Sequence, residues 1–361
     1  MRLYRLGAIP WDETQAIYHA LAEIGQEGLI ICRPTSRCVC LGLHDDLSQE
    51  VDTGYCRENG IPLIRRDIGG GTVLLDWEQL FFQLVISRDN PLLTGSRDRF
   101  FAGFLRPAVN TLGDFNLAAA VCPPADIVVN GRKISGSGAG DISGLVVYTG
   151  NILLAFDRKT MANVLKAPNA RFRDLARTSM EHWLTTMGEE LGYLPDIAAV
   201  EERLIDHFAT WLGELQPAAY TAELKRLTRA VARRLTSREF LGLPGKRSKV
   251  RQIKINEGTY LRFHQIDRQG SAPCGTEQAG TDCSGYVILL IQNGIIRDFE
   301  GAGIPWLAGD RLAPLAPYLT GVRWQAADLG VALARWRRDC AGDSAVAEAM
   351  LSAFILNGQE K

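Results

Sequence analysis

Apolar residues recur along this chain with two different periods. Positions 17, 21 and 24 fall on one helical face and Asp12 precedes them as a cap, so residues 12–27 predict an amphipathic helix. A second helical pattern covers residues 98–112 and contains Pro107. Short apolar runs predict strands at 28–33, 38–43, 61–66, 72–75, 80–86, 116–121, 126–129, 132–134 and 146–156. Strand runs interrupted by a few helices indicate an α+β sheet domain.

The rest of the chain also contains segments with helical and strand periods, divided by a linker. Helices are predicted at 161–165 and 198–211, and residues 215–219 have the composition of a linker. A basic amphipathic helix is expected at 220–235, with its cations on a solvated face. Strands at 249–262 and 285–298 each turn at a glycine, and helices are predicted at 306–312, 315–319, 326–338 and 344–356. We therefore predict two domains, residues 1–216 and a smaller α+β domain at 220–361.

Charge and composition narrow the function classes. The chain has 361 residues, with 40 basic and 41 acidic side chains and 46% apolar residues. This balance gives no support for nucleic-acid or membrane-surface binding. The N-terminus lacks the apolar core of a signal peptide, and the apolar runs are too short to span a bilayer. We therefore expect a cytoplasmic monomer that is not attached to a membrane.

Eight cysteines are present, and without a secretory signal a disulfide framework is not expected. Cys38 and Cys40 alternate on a predicted strand and would point to one face. No second close pair with suitable His spacing accompanies them, so a metal site is not favoured. We treat all eight cysteines as free thiols.

Three consecutive glycines mark the first segment with candidate chemistry, RRDIGGGTVLLD at residues 65–76. Glycine lets the backbone approach a ligand closely, and consecutive free N–H groups can form a nest for an anion. Arginines beside such a nest suit a phosphate or carboxylate. The alternative is a hairpin turn with solvated arginines.

The second segment is DIVVNGRKISGSG, residues 126–138. Asn130-Gly131 predicts a two-residue hairpin turn, which would place Lys133 early on the returning strand, ahead of a loop of small residues. A lysine there can neutralise a phosphate or polarise an acyl carbonyl. The alternative is an exposed hairpin with a solvated lysine.

Together the two segments resemble the catalytic domain of lipoate–protein ligases, within the biotin/lipoate ligase family. That family carries Arg-Arg-x-x-Gly-Gly-Gly-x-Val-x-x-Asp, matched from Arg65 to Asp76, and a lysine motif matched from Asp126 to Ser137. Gly138 replaces the usual alanine, and Thr149 replaces a histidine. Weaker similarity to the family's accessory domain lies at 236–242 and 296–299. The resemblance implies a mixed β-sheet with flanking helices and a C-terminal accessory domain.

The resemblance also implies a reaction, in which lipoate and ATP form lipoyl-adenylate and the acyl group passes to a lysine of a carrier protein. Lys133 would bridge the acyl carbonyl and the α-phosphate, and Asp126 would help to hold Mg²⁺ or the adenylate. The acyl wall would include Leu43, Ile68 and Val73, whereas Asp76 would be structural. The remaining residues of the expected substrate and nucleotide site are Arg65, Arg66, Gly69, Gly70, Gly71, Ser135, Gly136, Ser137 and Gly150.

The acceptor would be a glycine-cleavage H protein, a dehydrogenase E2 lipoyl domain or a dedicated lipoate-binding carrier, and octanoate is an alternative acyl substrate. Lys133→Ala is expected to abolish transfer in a folded protein. A bulky residue at Gly70 is expected to block binding without a large loss of stability. Two other functions stay open: an ATP-independent octanoyl or lipoyl transferase that uses Cys122 as a nucleophile, and a non-catalytic module that binds lipoylated carriers. A biotin ligase is disfavoured because that branch's arginine-rich loop is absent.

Overall fold

The computed structural model describes residues 1–93, 95–248, 250–266, 285–302, 315–340 and 350. The chain separates into two compact units. The first comprises Met1–Lys166 and Arg177–Arg247, and the second comprises Ala167–Ala176 with the described part of Ser248–Lys361. This division lies later than the predicted boundary near 216–220, because the helix at Ala222–Leu235 packs within the first unit.

The strands are β1 (Arg2–Ile9), β2 (Gly28–Pro34), β3 (Cys38–Leu41), β4 (Leu63–Arg65), β5 (Val73–Leu75), β6 (Gln79–Ser87), β7 (Ala119–Cys122), β8 (Asp126–Val129), β9 (Arg132–Ile142), β10 (Leu145–Leu153), β11 (Gln216–Pro217), β12 (Arg251–Asn256), β13 (Thr259–Ile266), β14 (Gly285–Gln292) and β15 (Ile295–Ala302). The helices are α1 (Glu13–Glu23), α2 (Leu47–Glu50), α3 (Thr53–Glu58), α4 (Arg97–Asp114), α5 (Arg158–Val164), α6 (Ala170–Trp183), α7 (Met187–Leu191), α8 (Ile197–Leu212), α9 (Ala222–Leu235), α10 (Arg238–Leu241), α11 (Ala316–Leu319) and α12 (Ala326–Cys340).

The first unit is built on a mixed sheet of eight strands in the order β11-β1-β2-β6-β10-β9-β8-β7. Strand β1 runs parallel to both β2 and β11, and the remaining neighbours are antiparallel. Helices α4 and α8 cover one face, where Phe82, Phe104 and Phe208 pack together. Helices α1 and α9 contribute to the core on the other face. The predicted α+β class and mixed sheet with flanking helices are confirmed.

A separate three-stranded sheet, β4-β3-β5, holds the glycine segment. Strand β3 runs parallel to β4 and antiparallel to β5. Its apolar side chains, including Cys40, Ile64 and Leu75, join the core that α1 covers. The connection between β4 and β5 therefore leaves this small sheet and returns to it, and Gly69, Gly70 and Gly71 lie in that connection.

The second unit contains a four-stranded antiparallel sheet, β12-β13-β14-β15, with α11 and α12 packed against it. Apolar residues of β14 alternate toward these helices, among them Val287, Leu289 and Ile291, and Trp336 of α12 is buried there. The predicted turns at Glu257-Gly258 and Asn293-Gly294 are confirmed by the strand bounds. The helices predicted at 306–312 and 344–356 lie outside the described residues, apart from Met350.

Two local predictions were wrong and one helix was missed. Ser135–Gly138 is not a loop but the middle of β9, because its backbone pairs first with β8 and then with β10. The linker expected at 215–219 contains β11, which pairs with Arg2 and Leu3 at the sheet edge. Helix α6 was not predicted at all. Within the described residues, no helix is both long enough and apolar enough to cross a membrane.

Candidate functional site

The triple-glycine connection is held by its carbonyl groups. Arg66 donates to the Gly69 carbonyl (3.1 Å from Nη2) and to the Gly71 carbonyl (2.8 Å), and it also reaches the Cys40 carbonyl at 3.3 Å. No described residue accepts a hydrogen bond from the N–H groups of Gly69, Gly70 or Gly71. With the carbonyls fixed inward and the amides unoccupied, the connection has the chemistry of an anion-binding nest. Arg66 shapes this nest, and its guanidinium is itself largely buried.

The three glycines differ in what a side chain would meet. Gly70 has φ +101°, and a Cβ there would lie 2.7 Å from the Arg66 guanidinium. An L-residue at Gly70 is therefore strained, so the expectation that a bulky residue leaves stability intact does not fit the backbone. A Cβ on Gly69 or Gly71 would meet nothing within 4 Å. Glycine at these two positions is not explained by packing inside the protein, which is consistent with close approach of a ligand.

Gly42 is a fourth glycine of the site. A Cβ at Gly42 would stand 1.9 Å from the Gly70 carbonyl oxygen, so only glycine lets the two backbones meet. Asp45 closes the same corner, since its carboxylate accepts from the Gly42 amide (3.1 Å) and from the Thr72 hydroxyl (2.8 Å). The sequence interpretation placed no ligand-site role on either residue.

Arg65 is turned away from the nest. Its side chain is fully buried and donates to the carbonyls of Gly42, Leu43 and Asp45, the last at 2.7 Å. The second nitrogen donates to the Leu241 and Leu243 carbonyls. Burial lowers the pKa of this guanidinium from its usual value. The structure therefore favours a structural role for Arg65 over the predicted ligand contact, because both of its Nη nitrogens donate to protein carbonyls and the side chain is fully buried.

His19 supports the start of the connection from α1. Its Nδ1 lies 2.7 Å from the Gln15 carbonyl, and the Asp67 amide donates to its Nε2 at 3.2 Å. This pair of contacts requires a neutral ring protonated at Nδ1. Burial lowers the pKa of His19 to about 4, although the nearby Asp67 carboxylate opposes that shift. The helical pattern of α1 did not indicate this contact.

Lys133 lies on β9 and forms an ion pair with Asp126, with Nζ 2.9 Å from Oδ1. The Asp126 side chain is 5% exposed and that of Lys133 is 22% exposed, so the ammonium is the accessible member of the pair. A Cβ on Gly136 would lie 3.1 Å from Lys133 Nζ. Lys133, Asp126 and Gly136 therefore share one face of the β8–β9 ladder.

A bulge in β9 sets the direction of Lys133. Ser135 pairs with Ile127, but Lys133 pairs with the next residue, Val128, so Ile134 is extra in the ladder. An extra residue shifts the alternation of the strand by one position. As a result Lys133 lies on the face of Gly136 rather than on the face of Ser135.

The same face of β9 meets the glycine connection further along. A Cβ on Gly138 would lie 3.4 Å from the Gly69 carbonyl oxygen, and one on Gly140 would lie 2.7 Å from Ile68. Positions 136 and 138 are two residues apart, or about 7 Å along a strand. The Lys133 amine and the glycine connection thus border the same stretch of β9, where Gly136 and Gly138 carry no side chains. The structure therefore brings the two sequence motifs together.

The serines of the lysine motif face elsewhere. Ser135 is fully buried in the sheet, and the Ser137 hydroxyl donates to the Ala125 carbonyl at 2.5 Å. Gly150 stands opposite Ser137 on β10, and a Cβ there would lie 2.4 Å from the Phe82 ring. The glycine at 150 makes room for the core, and the side chains of Ser135 and Ser137 are directed away from the Lys133 face. Backbone groups are what these three positions offer to a ligand on the Lys133 face.

A chain of side-chain amides connects the two motifs. The Gly136 amide donates to Asn151 Oδ1 (3.0 Å), and Asn151 Nδ2 donates to Gln79 Oε1 (2.9 Å). Gln79 Nε2 then donates to the carbonyl of Leu74 on β5, also at 2.9 Å. Gln79 is buried and Asn151 is partly buried. The sequence interpretation gave no ligand-site role to either residue.

The donor set does not favour a metal ion at Asp126, because its carboxylate is already paired with Lys133. Among the described residues no group of three His, Cys, Asp or Glu side chains is placed to hold a metal. Within the described part of the chain, the Mg²⁺ contact predicted for Asp126 therefore is not part of a site with three protein ligands.

The thiols of the first unit differ in accessibility. Cys32, Cys38, Cys40 and Cys56 are buried, and burial raises the pKa of each thiol. Cys122 is partly exposed and stands opposite Asp126 in the β7–β8 ladder. Among the described cysteines of this unit, Cys122 is therefore the accessible thiol near the Lys133 pair.

The site matches a known family. The model of the lipoyl protein ligase A/B catalytic domain matches residues 8–209. The chain belongs to this family. Residues 8–209 contain both the glycine connection and the Lys133–Asp126 pair.

Two relatives show the spread of activities within the family. The octanoyltransferase LipM of Kyrpidia tusciae is 30% identical over 244 residues, which cover 59% of this chain and 85% of that protein. Lipoate-protein ligase A subunit 1 of Thermoplasma acidophilum is 29% identical over 185 residues, 48% of this chain and 68% of that protein. Family membership thus establishes an enzyme of the lipoate ligase and octanoyltransferase group.

Solved structures share the fold. A bipartite lipoate protein ligase from Thermoplasma acidophilum, described with its E2 lipoyl domain, has a TM-score of 0.60 at 25% identity and covers 68% of this chain and 98% of its own. A lipoate-protein ligase A bound with ATP has a TM-score of 0.56 at 23% identity and covers 67% and 98%. LipL1 of P. falciparum in complex with lipoate has a TM-score of 0.55 at 14% identity and covers 92% and 94%.

Proposed function

We propose that this protein is an ATP-dependent lipoate–protein ligase. In the first step the lipoate carboxylate attacks the α-phosphorus of ATP, and pyrophosphate leaves. In the second step the amine of a carrier lysine attacks the acyl carbon of lipoyl-adenylate, AMP leaves and the amine loses a proton. Octanoate is the alternative acyl substrate, because both acids present the same carboxylate to the site.

The observation that carries this proposal is the juxtaposition of the Lys133 ammonium with the glycine connection on one bare strand face. Both steps develop negative charge on the acyl carbonyl and the α-phosphate oxygens, and a fixed ammonium with free backbone amides stabilises such charge. Gly69 and Gly71 leave room for the acyl-phosphate, and Arg66 keeps their carbonyls turned away from it. Ile68 and the exposed Val73 would supply apolar contact for the acyl chain.

The second unit supports the ligase over the transferase. The match to the LipM octanoyltransferase accounts for 85% of that protein but only 59% of this chain. The LipL1 fold, in contrast, covers 92% of this chain. ATP and lipoate are bound in structures of this fold, and one neighbour is described with an E2 lipoyl domain. We infer a lipoyl-carrier protein as the partner of this chain.

The test is an assay of pyrophosphate release on mixing the full chain with lipoate and ATP, followed by the mass of each apo-carrier in a panel of H proteins and E2 lipoyl domains. A ligase releases pyrophosphate and adds one lipoyl group to a carrier, and both signals are lost in Lys133→Ala. A pure binding module gives neither signal. Retained adenylate formation and transfer in Lys133→Ala would remove the mechanism.

Cys122 supports one second candidate, an ATP-independent octanoyltransferase. The thiol would attack the acyl donor, form a thioester and release the donor group, and the carrier lysine would then take the acyl group. The identity to LipM and the partly exposed position of Cys122 opposite Asp126 favour it. Transfer from octanoyl-carrier to apo-carrier without ATP, lost in Cys122→Ser, would establish the transferase and exclude the ligase as the main activity.

A further inference from the structure

We propose that Asn151 is a positioning residue for Lys133, resting on the function proposed above. Its side-chain oxygen accepts from the Gly136 amide at 3.0 Å. A Cβ on Gly136 would lie 3.1 Å from Lys133 Nζ and 4.0 Å from Asn151 Oδ1. The asparagine oxygen and the lysine amine therefore flank the same small space, and Asn151 borders the reacting groups without belonging to either motif.

The position of Gly136 in the sheet explains why its amide needs the Asn151 side chain as an acceptor. Strand β9 pairs with β8 up to Gly136 and with β10 from Ser137 onward. Gly136 lies one residue before the first β9–β10 pair, so its amide faces β10 without a backbone partner in that ladder. Asn151 lies just beyond Gly150, where that ladder ends, and its side chain accepts the Gly136 amide in place of a backbone carbonyl. The bond therefore fixes the turn of the strand next to the Lys133 amine.

The orientation of the Asn151 side-chain amide is determined by Gln79, at the other end of the chain of hydrogen bonds. Gln79 donates through Nε2 to the Leu74 carbonyl, so its oxygen is left as an acceptor. Asn151 must then present its NH₂ group to Gln79 and its oxygen to Gly136. The chain of amides has one direction, and it joins β5, which follows the glycine connection, to the strand that carries Lys133. It therefore fixes the spacing between the ammonium and the anion nest.

A residue that sets this spacing affects the rate of the chemical step more than substrate binding. A displacement of about 1 Å in a reacting group can lower a rate by up to about 100-fold. We therefore expect Asn151→Ala to lower kcat by about 10- to 100-fold, with KM for lipoate and ATP changed by less than about 2-fold. Gln79→Met, which keeps the shape but removes both bonds, is expected to lower kcat in the same direction.

The experiment measures kcat and KM for ATP-dependent lipoylation, the melting temperature, and amide hydrogen exchange at Gly136 in the full chain. The variants are Asn151→Ala, Gln79→Met, their combination, and Asn163→Ala as a control. Asn163 is a partly buried asparagine on α5 whose amide contacts Tyr55 and which makes no bond in the amide chain. We expect the combination to be no slower than Asn151→Ala alone, since both changes break one chain. We also expect faster exchange at Gly136 and a control equal to wild type.

Three results would overturn the proposal: a kcat that falls only with the folded fraction, an effect confined to KM, or unchanged exchange at Gly136 in Asn151→Ala. If Asn151→Ala does not fold, Asn151→Ser is judged by the same criteria, because its shorter hydroxyl does not span both partners. The exchange measurement needs no turnover. If the wild type shows no ATP-dependent lipoylation, the proposed function fails, whereas Gly136 exchange still reports on the amide chain.

Discussion

The close contact between Gly42 and Gly70 makes a sharp prediction for Gly42→Ala. The added methyl group would stand 1.9 Å from the Gly70 carbonyl oxygen, whereas ordinary contact begins near 3.4 Å. The atom in the way is backbone, so it cannot rotate aside. The glycine connection must therefore move by about 1.5 Å, the difference between these distances.

The cost of this movement can be estimated from the bonds it disturbs. Overpacking in a well-filled region typically costs about 1–3 kcal/mol. A shift of this size also weakens the Arg66 bonds to the Gly69 and Gly71 carbonyls, which are 3.1 and 2.8 Å long. We expect the free energy of unfolding to fall by about 1–3 kcal/mol, which lowers the melting temperature by several degrees. Displacing the nest should also reduce kcat/KM by about 100-fold.

Gly71→Ala is the matched control. A Cβ at Gly71 meets nothing within 4 Å, and its φ lies outside the left-handed region. This variant should melt at or slightly above the wild-type temperature. Alanine reduces the conformational entropy of the unfolded chain, which stabilises the folded state by about 0.4–1 kcal/mol. Its affinity for lipoyl-adenylate should nevertheless fall, since the methyl group occupies space proposed for ligand.

Thermal melting and titration with a non-hydrolysable lipoyl-adenylate analogue measure both effects. Gly42→Ala should lose stability and affinity together, whereas Gly71→Ala should lose affinity alone. Wild-type melting and turnover in Gly42→Ala would refute the argument that the two backbones meet. Equal losses of stability in both variants would refute the distinction between packing and ligand space.

The remaining predictions concern the amine, the core and pH. Lys133→Ala should leave the melting temperature within a few degrees of wild type and abolish lipoylation, as read by carrier mass. Gly150→Ala, whose Cβ would lie 2.4 Å from the Phe82 ring, should lower stability by about 1–3 kcal/mol in a chemical denaturation. Burial lowers the pKa of His19 to about 4, so its contribution to stability is present above about pH 6.5 and is lost on acidification toward pH 4. Burial raises the pKa of Asp76 to about 6, so between about pH 4 and pH 6 the folded state keeps a proton that the unfolded state has lost. The folded protein therefore loses stability as the pH rises through this range. Asp76→Asn should therefore be more stable than wild type at pH 7 by on the order of 2–3 kcal/mol and no more stable at pH 4; equal stability of the two proteins at pH 7 would contradict this pKa shift.

The hydrophobic pattern predicted most elements of the first unit, because each strand and helix there carries its own period. The predicted strand at 126–129 matches β8, and the helix predicted at 98–112 lies within α4. Helix α6 was missed because most of its residues are polar or charged, although Phe172, Ala176 and Met180 recur at helical spacing on one buried face. The linker prediction failed for a related reason: two residues with turn composition extend the sheet edge as β11.

The glycine motif did not predict which groups Arg65 and Arg66 contact. Both arginines precede the glycines and both were expected to contact ligand. Both are buried, but their partners differ because Arg65 is the last residue of β4 whereas Arg66 begins the connection. Sequence order places the two side chains on opposite sides of an extended backbone. It does not indicate that Arg66 donates to the carbonyls of the glycine connection, whereas Arg65 donates to carbonyls outside it. The contacts of Gly42, Asp45 and His19 with this region involve long separations in sequence, which a local pattern does not encode.

The lysine motif shows why residue type alone assigns roles poorly. Small residues occupy every position from Ser135 to Gly138, and a loop interpretation treats them as one binding surface. In the strand, the faces alternate, so Gly136 and Gly138 border the Lys133 space while Ser135 and Ser137 face the interior. The extra residue in the ladder is what places Lys133 on the first face. Substitutions along this segment should therefore alternate in effect, with loss of activity at the glycines and loss of stability at the serines, and that alternation follows from the bulge and not from the identity of the small residues.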